Sequence, residues 1–197
     1  MSHEAPPESW RRLMELLAGV HEQAAATARR LSRGPAEGDD LYQEAVLRAH
    51  QKLSSLRDES RFRAWFYAVL LSIHRNRTRA GFWRRFLSLE DPAMGTWEPA
   101  GHDGIRRETE RHQAERASRA LATLPPEQRE AVVLFELEGF SIEEIAALQK
   151  ATVPAVKSRL TRGRARLRIH YERLGLKPRE DARPATGPLP VSEGRRS

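Results

Sequence analysis

The stretch Glu136–Arg168, ELEGFSIEEIAALQKATVPAVKSRLTRGRARLR, decides the fold. It divides into a short amphipathic helix, a tight connection and a second, strongly basic helix. Ser141 opens the first helix and Glu144 follows three residues later, the S-x-x-E spacing in which each side chain satisfies an orphan amide of the other. Ile142, Ile145 and Ala146 then share one apolar face. The connection covers Lys150, Ala151 and Thr152. Thr152 suits an N-cap, and Pro154 is tolerated in a first turn, where no intrahelical donor is needed.

In the second helix Val156, Leu160 and Leu167 line up to face a core. At about 100° per residue, the opposite side carries Pro154, Ser158, Thr161 and Ala165, all small. Lys157, Arg164 and Arg168 flank that face on one side; Arg159, Arg162 and Arg166 flank it on the other. Small residues allow close approach while the guanidiniums reach phosphates on both walls of a groove, which is what a recognition helix in a DNA major groove requires. The candidate contacts are therefore Pro154, Ala155, Lys157, Ser158, Arg159, Arg162, Arg164 and Arg166. An ordinary solvated Arg-rich helix is the plainer reading, but cap, turn and charge agree on the first.

Charge extends the argument to the rest of the chain. Of 197 residues with a net charge of +7, Arg61–Arg85 contains seven arginines and no acid, and Lys157–Arg173 contains seven cations and one acid. The remainder is therefore net acidic. Two separate basic patches on an otherwise acidic protein point to one extended polyanion held at two places. There is no cysteine, which excludes a disulfide framework, a thiolate metal site and a cysteine nucleophile. The N-terminal MSHEAPPESW lacks the apolar run of a signal peptide, and no window approaches the 18 apolar residues of a membrane span. A soluble, cytoplasmic protein without membrane insertion is expected.

Residues 1–8 read as disordered. Trp10, Leu13, Leu16, Leu17, Val20 and Ala24 follow a helical period from Ser9 to about Leu31, and Gly34-Pro35 with Gly38 then break the chain. Asp39 is a candidate N-cap for a helix to about Leu53, with Tyr42, Ala45, Val46, Ala49 and Leu53 facing a core. Its other face carries Asp40, Gln43, Glu44, Leu47 and Gln51, either a plain acidic surface or a docking face for a basic or mixed partner.

Ser60 is a candidate cap for a helix over 61–79, with Phe62, Trp65, Phe66, Val69 and Ile73 as its core stripe. The far side holds Tyr67, Leu71, His74 and Thr78 among Arg63, Arg75, Arg77 and Arg79. Basic and aromatic residues without a nearby acid suit unstacked bases and a phosphate track, and Tyr67 and Trp83 are the stacking candidates.

Residues 88–104 are rich in Pro, Gly and acid and read as a flexible linker. Helical pattern resumes by Arg107, runs to Leu124 and restarts after Pro125-Pro126. There Val132, Val133, Leu134, Phe135 and Leu137 are apolar almost all round, hence expected to be buried, and Gly139 ends the helix. The residues from Lys177 read as a disordered tail. The fold class is all-α: two small helical domains over 9–87 and 107–176 joined by a linker over 88–106, the second containing a helix-turn-helix, with a tail over 177–197.

ALATLPPEQREAVVLFELEGFSIEEIAAL followed by VKSRLTRGRARLR resembles the C-terminal DNA-binding region of bacterial RNA polymerase sigma factors of the extracytoplasmic-function type. GDDLYQEAVLRAHQKL resembles the D-L-x-Q-E helix of their first domain, and FRAWFYAVLL the F-R-x-W-L-Y helix that follows. The resemblance spans about residues 10–175. It implies a transcription initiation factor with no enzymatic chemistry, cofactor or metal, whose partners are core RNA polymerase, promoter DNA and an anti-sigma factor.

The resemblance also assigns roles by position. Core polymerase docks on Asp40, Leu41, Gln43 and Glu44, with Leu47 beside them. The first domain recognises and melts the −10 element, for which Arg63, Tyr67, Ser72, His74, Arg75, Asn76 and Arg77 are candidates. The last domain reads the −35 element through Val153–Arg168.

Two departures from the family pattern stand out. The hairpin usually reads L-G-I/V-P, whereas Gln149-Lys150-Ala151-Thr152 stands here. A positive φ at Lys150 or Ala151 would cost about 1 kcal/mol. Where R-I-A-R-N is usual, the chain reads Ala68-Val69-Leu70-Leu71-Ser72, so either the −10 preference differs or its contacts move to His74, Arg75, Asn76 and Arg77.

Two other functions compete. A free-standing helix-turn-helix regulator would need neither the acidic Asp39/Asp40/Glu44 face nor the second basic patch. A metal-dependent nucleic-acid enzyme built on those carboxylates would lack histidines at ligand spacing and a Gly-rich phosphate loop.

Overall fold

The computed structural model describes residues 7–87 and 105–176, with backbone only at 81–87, 105–111 and 114. The N-terminal six residues, the linker reading over 88–104 and the tail from Lys177 lie outside the described residues. Every regular element among the described residues is helical.

Helices α1 (Glu8–Ala18), α2 (His21–Leu31), α3 (Pro35–Lys52) and α4 (Phe62–Leu87) form the first domain. The single helical period expected over 9–31 is two helices, separated at Gly19 and Val20, whose φ of −133° leaves the helical region. Leu13 and Leu17 of α1 are buried, and α2 presents a face of small residues, Ala24, Ala25, Thr27 and Ala28, ending in Leu31.

That small face explains a second correction. Gly38 does not break the chain; it lies inside α3, where an added Cβ would sit 2.4 Å from the Arg29 Cα. Glycine is there because α2 and α3 cross nearly backbone to backbone. The helix starts at Pro35 after Gly34, so Asp39 is not its cap but pairs with Arg29 at 2.7 Å. Proline is favoured at this position because its missing amide has no intrahelical partner. The α4 cap also differs from expectation. Asp58, not Ser60, caps the short 3-10 turn before α4, accepting from the Ser60 amide and hydroxyl.

The core of the first domain takes Leu41, Ala45 and Ala49 from α3, Leu53 from the 3-10 turn that follows it, and Phe62, Phe66, Val69, Leu70 and Ile73 from α4. Tyr42 meets Phe66 edge-on at 6.1 Å. Trp10 stacks on His50 at 4.1 Å and so ties α1 to α3.

Helices α5 (Ile105–Ala122), α6 (Pro126–Val132), α7 (Ile142–Gln149) and α8 (Val153–Arg173) form the second domain. A π turn at Val133–Leu137 continues α6. The extra residue in that turn shifts the helical phase, so Leu137, expected in the core, is 50% exposed while Val132, Val133 and Leu134 are buried. Gly139 at φ 68° then reverses the chain, and the Phe140 amide bonds the Leu134 carbonyl at 3.0 Å. Gly163 of α8 rests on α6: a Cβ there would lie 2.8 Å from Val132 Cγ2.

The two domains pack on each other. α2 meets α5 and α6, and α4 meets α7. Arg129 spans the contact, donating to the carbonyls of Leu31, Ala122 and Leu124 at 2.9, 2.9 and 3.3 Å. It thereby satisfies carbonyls at the ends of α2 and α5, which a helix leaves without intrahelical donors.

Candidate nucleic-acid interfaces

The helix-turn-helix forms as its local signals predict. The Ser141 hydroxyl accepts from the Glu144 amide at 3.2 Å and the Glu144 carboxylate accepts from the Ser141 amide at 2.8 Å, closing the capping box. Lys150 takes the left-handed turn at φ 50°, ψ 46°, where the family pattern would have glycine. Thr152 caps α8 by accepting from the Ala155 amide at 3.3 Å.

Val156 and Leu160 are buried beneath α8, and Leu167 is half-buried against the core. Outward, Pro154, Lys157, Thr161, Arg162, Arg164, Arg166 and Arg168 are exposed, while Ala155, Ser158 and Arg159 are half-buried. Two of these arginines donate hydrogen bonds to other elements of the domain, and Arg168 pairs with Glu172 of its own helix at 3.8 Å. Arg159 donates to Gln149 Oε1 at 2.8 Å. Arg164 donates to Glu136 Oε1 at 2.7 Å and lies over the Phe135 ring at 5.3 Å. Arg162, Arg166 and Arg168 thus hold exposed guanidiniums beside the small face.

On the first domain, Asp40, Gln43 and Leu47 are exposed and Glu44 is half-buried. Leu41, the remaining member of the candidate docking set, is 1% exposed and packs into the core one position round the helix. Arg77, assigned to −10 DNA, pairs with Glu44, assigned to polymerase, at 2.6 Å. The two candidate surfaces therefore share an edge. Asp39 and Glu44 are both neutralised by arginine, and no cluster of three metal-ligating side chains exists among the described residues.

The largest departure concerns the −10 candidates on α4. Tyr67 is fully buried, so it offers no stacking face in this arrangement; it donates to Glu138 Oε2 at 2.5 Å and meets Phe140 edge-on at 5.0 Å. Burial and then the Glu138 carboxylate push its phenol above the ordinary range. Thr27 donates to the other Glu138 oxygen, and Arg63 donates to the Glu138 backbone carbonyl while lying over the Phe140 ring at 4.1 Å. Arg75 donates to the Leu148 carbonyl at 2.6 Å and faces Glu130 at 3.7 Å.

His74, also read as a surface residue, is 7% exposed, with its Nε2 3.7 Å from Glu130 Oε1. That separation exceeds a hydrogen bond, and both atoms are unpartnered. Burial, reinforced by Arg129, Arg75 and Arg77, pushes His74 down to about 4, whereas burial pushes Glu130 up to about 7. Ser72 and Asn76 alone of the −10 set are exposed.

Glu130 and Glu138 were the residues that sequence reading overlooked. Their signal was an acid inside an otherwise apolar run, EAVVLFELEGF, where a solvated face has no reason to be.

An all-helical chain with a capped helix-turn-helix, a basic recognition helix and a second basic helix defines a two-domain DNA-binding protein. Comparison narrows the class. Residues 16–81 match the family model for Sigma-70 region 2, and residues 114–167 match that for Sigma-70, region 4. The chain is 33% identical over 147 residues to ECF RNA polymerase sigma factor SigM of Mycobacterium tuberculosis, covering 75% of this chain and 70% of the relative. It is 34% identical over 155 residues to ECF RNA polymerase sigma factor EcfG of Rhodopseudomonas palustris, covering 78% and 81%.

Among solved structures, the sigma factor RpoE in complex with the anti-sigma factor NepR from Bartonella quintana superposes with a TM-score of 0.66 at 25% identity, covering 82% of this chain and 98% of that one. CnrH in complex with the cytosolic domain of CnrY shares the fold, with a TM-score of 0.60. The chain belongs to the extracytoplasmic-function family of RNA polymerase sigma factors. It is a promoter-specific transcription initiation factor.

Proposed function

We propose that the first domain docks on core RNA polymerase through Asp40, Gln43, Glu44 and Leu47 and captures the opened −10 strand along α4. The second domain reads the −35 element through α8. The observation that carries this reading is the exposed face of α8, where Pro154, Thr161, Arg162 and Arg166 stand outward from a capped, well-anchored helix.

Lys157 and Arg168 contact phosphates and set register, whereas Arg162 with Ser158 reads base edges, because only edge contacts carry sequence. On α4, Arg63, Arg75, Arg77 and exposed Ser72 and Asn76 line the strand, with Tyr67 available to it once the second domain is removed. The protein works without a catalytic residue or cofactor of its own, in the cytoplasm. No helix of the described residues is long and apolar enough to cross a membrane. An anti-sigma factor is proposed as its inhibitor, by analogy with the two complexes described above.

Gel filtration with bacterial core polymerase tests the docking half. Wild type co-elutes and Asp40→Lys/Leu47→Glu does not, while both retain the same helical circular dichroism. Equal co-elution of the two proteins would refute the assigned docking face.

A further inference from the structure

One side-chain amide joins three helices beneath the reading face of α8. Gln149 closes α7 and is 8% exposed. Both of its amide hydrogens go to α6: Nε2 donates to the Glu127 carbonyl at 3.0 Å and to Glu130 Oε2 at 3.2 Å. Its oxygen accepts from Arg159 Nη1 of α8 at 2.8 Å. Acceptors lie on one side, and a guanidinium, which can only donate, lies on the other, so one orientation of the amide fits. A leucine, usual at this place in the L-G-I/V-P pattern, could make none of these bonds.

Burial holds the arginine in place. Arg159 cannot turn toward DNA without leaving a buried carbonyl oxygen unpaired, and an unpaired buried acceptor carries its full desolvation cost. Position on the helix agrees. At about 100° per residue, Arg159 lies roughly 130° round α8 from the centre of the small face of Pro154, Ser158, Thr161 and Ala165, whereas Arg162 lies roughly 70° from it. Arg159 is half-buried and Arg162 is exposed. The two arginines are alike in charge but differ in direction and partner.

Resting on the reading of α8 as the −35 helix, we infer that Arg159 is a positioning residue rather than a DNA contact: through Gln149 it fixes α8 against α6 and α7, and so sets how Arg162 and Ser158 meet the base edges. α8 packs on both helices, with Val156, Leu160 and Gly163 as its buried anchors. Apolar packing is non-directional and leaves a helix some freedom to rotate. A hydrogen bond to an amide whose every hydrogen is committed removes that freedom. Reading base edges depends on paired donors meeting paired acceptors, so a small rotation of α8 costs discrimination before it costs attachment.

The test is DNA binding by the polymerase-bound chain, on the preferred −35 sequence and on a scrambled one, over a range of salt. Losing one phosphate contact lowers the slope of log K against log salt by about one, whereas losing a positioning contact does not. Arg159→Ala should weaken binding to the preferred sequence by about tenfold, the scale of one impaired base contact. It should leave binding to scrambled DNA, and both salt slopes, unchanged. Gln149→Leu should reproduce this pattern, and the double variant should lose no more than either alone. Arg159→Lys, which can still donate to Gln149, should keep discrimination. Arg159→Ala added to Arg162→Ala should cost little further, because the side chain it positions is already gone.

A salt slope lowered by about one on both DNAs in Arg159→Ala makes that residue a phosphate contact and overturns the inference. Full additivity with Arg162→Ala, with preference lost at one further base pair, makes it a base reader and overturns the inference equally. Discrimination unchanged in both Arg159→Ala and Gln149→Leu does the same. Should Gln149→Leu lose its helical circular dichroism, Arg159→Ala and Arg159→Lys decide between these outcomes by themselves. A wild-type chain that binds preferred and scrambled −35 DNA alike refutes α8 as the −35 helix, and the inference falls with that reading.

Discussion

Tyr67 of α4 donates its hydroxyl hydrogen to the Glu138 carboxylate at 2.5 Å, joining two buried residues 71 positions apart. A hydrogen bond to a charged acceptor contributes about 1.5–3 kcal/mol net, so this contact is among the stronger single links between the domains. A double-mutant cycle of Tyr67→Phe and Glu138→Gln in the full chain should give a coupling of about 1–2 kcal/mol by denaturant titration. Additive losses would mean the two side chains do not meet in solution.

Lys150 occupies a left-handed conformation at φ 50°, which costs a side chain with a Cβ roughly 1 kcal/mol relative to glycine. Lys150→Gly should therefore stabilise the chain by about that amount, a rise of a few degrees in melting temperature. Its −35 selectivity should not change. A lower melting temperature would show that the lysine contributes more than its backbone costs.

Gly38→Ala should do the opposite of what helix propensity alone predicts. Alanine favours a helix interior by about 1 kcal/mol, but its Cβ would overlap the Arg29 backbone at 2.4 Å. Backbone cannot give way as a flexible side chain does, so overpacking of about 1–3 kcal/mol prevails. Thermal unfolding should show a net loss; a gain would place the two helices farther apart.

The Glu130–His74 pair predicts a pH signature. Glu130 is raised to about 7 from its ordinary 4.5, so the stability it contributes is present below about 4.5 and is lost as pH rises through about 7. His74 is lowered to about 4 from 6.5, so its contribution is present above about 6.5 and is lost as pH falls through about 4. Between about 4.5 and 6.5 the two oppose each other and leave little slope; above about 6.5 only the Glu130 loss remains. Arg75, Arg129, Arg77, Arg159 and Glu127 also face the pair.

Glu130→Gln should abolish the decline above about pH 6.5 and leave stability rising with pH from about 4 to 6.5. An unchanged pH profile would assign the slope to other groups.

The helix-turn-helix was legible because its signals are local. Ser141 and Glu144 sit three apart, and Thr152 and Pro154 mark the next start; the same residues make those caps in the folded chain. Tyr67 and His74 were misread as surface because what buries them lies more than 50 residues further along the chain, and no periodicity within α4 carries that information. Gly38 was misread because a glycine that ends a helix and one that lets two helices touch are the same letter; only Arg29 distinguishes them. Leu137 failed for a third reason. The π turn adds a residue and rotates the pattern away from the core.

In DNA binding by the polymerase-bound protein, Arg162→Ala should lose about 1–3 kcal/mol on the preferred −35 sequence and little on scrambled DNA. Arg168→Ala should weaken both alike and flatten the salt dependence by about one unit. Equal losses for the two variants would end the assigned division between base reading and phosphate contact.

The central claim is tested most directly by selecting promoters from a randomised DNA library with core polymerase reconstituted with this chain. The account predicts two short conserved blocks centred about 25 base pairs apart, with Arg162→Ala relaxing only the upstream block. A single palindromic site, selected as well without polymerase as with it, would contradict the account.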